Sequence, residues 1–164
     1  MSSSSEFSGP AMPKKGARLL GGANDWKQNA RLGYLDIEMC WDAYAEGFKT
    51  AADQLVQDLL DNRVWPIDVL LYPVAFLYRQ YLELRLKELI VVSGRLLGLS
   101  REVPIHHDLM SLWKDVRPRL EQIWFSRSNK MDNDAIEDGL HQFCDADPGS
   151  YSFRYPVDRH GNPV

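Results

Sequence analysis

The chain lacks the features that define several large protein classes. It has two cysteines in 164 residues, Cys40 and Cys144. That is too few for a disulfide framework, and neither has a second Cys or a His at zinc-ligand spacing. Both are expected to be reduced, half-buried thiols of a cytoplasmic protein. No HExxH, CxxC or paired-Glu motif is present, so neither a metal nor a cofactor is expected. Excess positive charge is missing as well: 19 Lys and Arg stand against 23 Asp and Glu, a formal net charge of −4. No global basic field can therefore coat nucleic acid, and any RNA contact has to be local. The N-terminus has no apolar signal-peptide stretch. The apolar run from Val69 to Tyr78 is cut by Arg79 well short of bilayer length, so no membrane span is expected. Period-two alternation of useful length is also absent, which excludes a sheet-built domain.

What the sequence does contain is helical periodicity. Residues 1–23, rich in Ser, Gly, Pro and Lys, predict a disordered tail, and 24–164 a single domain. From Asp36 to Leu60 the residues Trp41, Tyr44, Phe48, Ala52, Leu55, Val56 and Leu59 recur at gaps of three and four, which predicts a first helix with that stripe inward. Pro66 suits the first turn of a second helix ending near Gly98, with a kink or a late start at Pro73. Leu109, Leu112, Trp113, Val116, Leu120, Ile123 and Trp124 predict a third helix, bent at Pro118. Asp134 to Cys144 predicts a short fourth, with Ile136, Leu140 and Phe143 inward and Asp147, Pro148 and Gly149 as its stop. Short connections make sequential helices antiparallel neighbours, so the expected fold is all-α: an antiparallel up-and-down bundle of about four helices. Its C-terminal segment is extended, with Ser150 to Pro156 packed on the bundle.

Three groups of residues carry chemical potential. Arg79, Glu83 and Lys87 follow at i, i+4 steps and share one helix face in strongly apolar surroundings. They predict either a paired or solvated stripe, or a polar seam that meets a phosphate or a partner. Arg79 and Arg85 suit phosphate, since a guanidinium is a fixed fork of donors. His106, His107 and Asp108 precede the third helix. Asp108 or a neighbouring His suits a cap, and a His suits proton transfer near neutral pH. Phe153, Arg154 and Tyr155 form an aromatic-flanked cation followed by Asp158 and His160. Arg154 there is expected either to pair with Glu83 or an acidic neighbour, or to neutralise a phosphate while His160 or His107 moves a proton.

The order of these pieces, FLYRQYLELRLKELI from Phe76, HDLMSLW from His107 and DPGSYSFRYPVD from Asp147, resembles the HEPN superfamily. These are small all-helical domains common in prokaryotic toxin and phage-defence systems, and the resemblance runs over roughly Trp41 to Gly161. It implies a homodimer acting as a metal-independent endoribonuclease, with RNA as substrate and a cognate antitoxin or effector protein as partner. Active members carry an Arg followed after four to six residues by a His, which promotes attack of the ribose 2′-OH while the Arg holds the phosphate. Arg154 with His160 has such spacing, as does Arg101 with His106 and His107. The resemblance thus implies His107, Arg154 and His160 as catalytic residues. Pro156 opposes helix inside the Arg154–His160 interval, where the family usually has one. A second expectation therefore stands beside the first: a non-catalytic dimeric helical module that binds a protein partner or a nucleotide. Its basis in the residues is the wealth of aromatics, five Trp, seven Tyr and six Phe, which exceeds what a small bundle readily hides.

Overall fold

A computed structural model of the chain describes residues 15–16, 27, 37–61, 66–100, 102–124, 127–147, 149–157 and 160–163. Its contacts divide the chain into two units, residues 1–34 and 35–164. Among the described residues there are four α-helices, all in the second unit: α1 (Ile37–Leu60), α2 (Ile67–Leu97), α3 (Leu109–Ile123) and α4 (Arg127–Ala146). Apart from residues 15–16, the tail expected at 1–23 lies outside the described residues.

The domain is the expected all-α bundle, in which α1 packs on α2, α2 on α3 and α3 on α4. Among the described residues the only β pairing is an isolated bridge between Val157 and Pro163. The core lies where α2, α3 and α4 meet and is built from Leu86, Ile90, Leu109, Leu112, Trp113, Val116 and Leu140. Leu109, Leu112, Trp113 and Val116 fall at helical steps of three and four, so α3 turns a continuous apolar stripe inward.

The ends of the helices follow local chemistry. The Asp108 side chain caps α3 by accepting the Ser111 amide at 2.6 Å, and this hydrogen bond lowers the pKa of its carboxyl group. Gly98 ends α2 in the left-handed conformation, at φ 66°, a geometry a side chain would strain. Both internal prolines are accommodated. Helix α2 starts at Ile67, ahead of Pro73, and runs through it, and α3 runs through Pro118.

Two details depart from the periodicity. Tyr44 is exposed, and Ala45 with Ala52, seven residues on, is buried on α1 in its place. Small residues at a helix contact let two backbones approach, and the bulky tyrosine is left outside it. Helix α4 begins at Arg127, seven residues before the expected Asp134, because the stretch before Asp134 has almost no apolar period to reveal it. On that helix Leu140 is buried and Phe143 half-buried, while Ile136 is exposed.

Arginines tie the helices together. Arg85 of α2 reaches Asp42 at 2.8 Å and Glu46 on α1, and Glu88 at 2.7 Å on its own helix. These bonds raise its pKa further, against the effect of burial. Arg117 of α3 meets Glu121 at 2.9 Å and, on α4, Asp134 and Glu137. Arg119 donates to the carbonyl oxygens of Ile90 at 3.0 Å and Ser100 at 3.3 Å.

Candidate functional site

The i, i+4 spacing of Arg79, Glu83 and Lys87 places them on one face of α2, and that face is turned inward. All three are buried, Glu83 to 3% exposure. Three groups converge on the Glu83 carboxylate. Lys87 Nζ lies 2.9 Å from Oε1, His107 Nδ1 lies 2.7 Å from the same oxygen, and Arg79 Nη1 lies 3.6 Å from Oε2. Arg79 Nη2 also donates to the His107 carbonyl at 2.8 Å, so main chain and side chain of one histidine are fixed by two residues of the seam.

A second carboxylate completes the set. Asp147, just past the end of α4 and buried, places Oδ2 3.4 Å from Arg79 Nε. Its other oxygen accepts the amides of Tyr151 at 2.8 Å and Ser152 at 2.7 Å. The seam therefore holds two fixed cations, Arg79 and Lys87, against two carboxylates, Glu83 and Asp147. Among the described residues every buried side-chain polar atom has a hydrogen-bond partner, as buried charge requires. Burial pushes the Glu83 carboxyl up, but the hydrogen bonds and charges of Lys87 and His107 outweigh it, and the net shift is downward.

His107 is the point where this buried network reaches solvent. Its side chain is 66% exposed. Because Glu83 is held ionised, Nδ1 carries the hydrogen and donates to it. In the neutral ring the lone pair is then on Nε2, which has no protein partner among the described residues. The ring is an oriented proton acceptor with a carboxylate behind it, the arrangement in which a base is held by a third group.

The remaining candidates are distributed around this centre. Asp108 is the α3 cap and His106 beside it is exposed. Arg154 is not paired with Glu83: its Nε donates to the Ser150 carbonyl at 2.7 Å and Nη2 donates to the same oxygen. It sits on the loop that Asp147 anchors, and so is linked to His107 through Asp147, Arg79 and Glu83. His160 is exposed, in the short excursion closed by the Val157–Pro163 bridge. Arg101 and Asp158 lie outside the described residues.

Asp147 is the site residue that sequence reading missed, taken there only as part of a helix stop. The signal was available: a buried Arg79 faces two neutralising demands, its own and that of Lys87, and one glutamate meets only one of them. Trp113 and Glu137 are a second such pair, with indole Nε1 donating to the Glu137 carboxylate at 3.0 Å. Among the described residues no group of three or more His, Cys, Asp or Glu is placed to hold a metal ion, and no helix is long and apolar enough to cross a membrane. Comparison with protein-family models, with characterised proteins and with solved structures finds no match for this chain.

Proposed function

We propose that this helical domain is a HEPN-like, metal-independent endoribonuclease in which His107 is the general base. The observation that carries the reading is the contact of His107 Nδ1 with the buried Glu83 at 2.7 Å while the ring faces solvent. Nε2 takes the proton of a ribose 2′-OH, the 2′-oxygen attacks the adjacent phosphorus, and the bond to the 5′-oxygen breaks. That oxygen leaves with a proton, giving a 2′,3′-cyclic phosphate and a 5′-hydroxyl. Glu83 orients the ring through Nδ1, and so acts as a positioning residue. Arg154 holds the phosphate: a guanidinium has five N–H donors, and only Nε and Nη2 are engaged by Ser150. His160 is the candidate acid for the leaving oxygen.

Total cellular RNA incubated with the protein in excess EDTA tests this. Wild type should leave 2′,3′-cyclic phosphate ends, and His107→Ala should not, with helicity unchanged. Cleavage that survives in a His107→Ala, Arg154→Ala double variant removes the reading.

A second reading has its own observation. Ile67, Val69, Leu71 and Tyr72, in the first turns of α2, are all exposed, which favours a non-catalytic module that docks a second copy of the chain or a partner protein. Sedimentation of a monodisperse monomer at high concentration would refute the dimer. A dimer that Leu71→Asp dissociates would support it.

A further inference from the structure

From the residues around the α3–α4 connection we infer that this end of the bundle carries a binding site for an alkylguanidinium, its plane stacked on Trp124 and its donors held by Asp132 and Asn133. The site is an open hollow of about 260 Å³ lined by Leu120 and Trp124 at the end of α3 and by Asp132 and Asn133 of α4. It shares no residue with the His107 seam, so it stands whether or not the chain cleaves RNA.

Asn133 is the residue that points to a ligand. It is only 6% exposed, yet its side-chain amide has no hydrogen-bond partner among the described residues, where a buried amide ordinarily has one. Every closed-off side-chain polar atom of those residues is partnered. The unpartnered amide therefore keeps an opening, and it lines the hollow. There it has an unmet hydrogen bond to offer.

The charge around the hollow selects a cation. Arg117 alone faces three carboxylates, Glu121, Asp134 and Glu137, so this side of α3 and α4 retains negative charge. Asp132 adds to it: it is exposed and has no ion pair among the described residues. That field repels anions and draws cations. Trp124 is 55% exposed, and its main chain is fixed by donation to the Leu120 carbonyl at 2.8 Å. An indole face attracts cations through its ring quadrupole. A guanidinium uses all four residues: it lies flat on the indole, its paired N–H donors match the Asp132 carboxylate, and a further N–H meets the Asn133 carbonyl oxygen. Its alkyl stem lies on Leu120. A primary ammonium brings the charge without the plane or the fork.

Amide-correlation NMR of the full chain at constant ionic strength, titrated separately with ethylguanidinium, n-butylammonium, arginine and N-acetylarginine methylamide, tests the site. Ethylguanidinium should give saturable shifts at the Asn133 side-chain amide and at the Trp124 and Asp132 main-chain amides, and n-butylammonium should bind more weakly. Trp124→Leu should weaken ethylguanidinium roughly two- to thirtyfold, the loss expected for one cation–π contact, and Asp132→Asn should weaken it as well. Both positions are exposed, so neither variant disturbs the core. Tighter binding of the capped arginine than of the amino acid would support the site and place the cation on a peptide; the reverse would support it and place the cation on a small molecule. No saturable shift at these groups, n-butylammonium binding as tightly as ethylguanidinium, or an unchanged affinity in either variant would each overturn the inference. None of these probes contains a phosphodiester, so this outcome and that of the cleavage assay are independent.

Discussion

Glu83→Gln is the most informative single substitution, because the carboxylate it removes faces three groups at once. Lys87 Nζ at 2.9 Å and Arg79 Nη1 at 3.6 Å are fixed cations, and His107 Nδ1 lies at 2.7 Å. With Asp147 opposite Arg79, the buried seam is balanced at two charges of each sign; the substitution leaves two cations with one carboxylate. Breaking a buried pair by removing one partner costs about 3–5 kcal/mol. The glutamine carbonyl can still accept from Lys87, so the lower end, ~3 kcal/mol, applies here. For a domain of this size that lowers Tm by roughly 6–12 °C. Urea unfolding followed by circular dichroism at pH 7 reads it as a lower midpoint with an unchanged slope. Lys87→Met should cost less, since Glu83 keeps Arg79 and His107. The double variant restores neutrality, so its loss should fall short of the sum of the two by about 1–3 kcal/mol. A loss under about 1 kcal/mol in Glu83→Gln, or strict additivity in the double variant, would show that the seam is solvated in solution and would refute the reasoning.

The acid limb of stability follows from the same group. The Glu83 pKa is lowered on folding, so its contribution is present above the unfolded carboxyl pKa of about 4.3 and is lost as pH falls through the folded value. The stability gap between wild type and Glu83→Gln should therefore narrow below about pH 4, which denaturation at stepped pH measures. Asp147→Ala should cost about 1–3 kcal/mol and strip hydrogen-exchange protection from the Tyr151 and Ser152 amides while leaving that of α3 in place. Leu112→Ala, at a fully buried position, should cost about 2–5 kcal/mol, read by thermal unfolding. Asp108→Ala removes the α3 cap and should cost about 1 kcal/mol.

Helix number and helix order were legible in the chain because apolar residues at three and four steps can be buried only as a stripe. The second, third and first helices were recovered to within about a residue at each end, and Asp108 as cap was readable from its place before Leu109. Helix α4 was recognised only from Asp134, since the residues before it carry no stripe. The stripe of α1 was read correctly except at one position, Tyr44 for Ala45, because a three-and-four pattern bears equally on adjacent residues until the partner helix is known. The Arg79, Glu83 and Lys87 face was recognised as exceptional, yet whether it lay in water or in the core was open at the level of spacing.

Periodicity, capping residues and the lack of strand patterning determined the all-α bundle, because these act through local backbone geometry. Tertiary structure alone decided the fate of the charges. It brought Asp147 from the end of α4 against Arg79 and His107 from the α2–α3 connection against Glu83, and among the described residues it left Arg154 without a carboxylate. Such pairings join residues 24 and 68 positions apart in the chain, and electrostatics in a low-dielectric interior depends on distance in space, which no local pattern encodes.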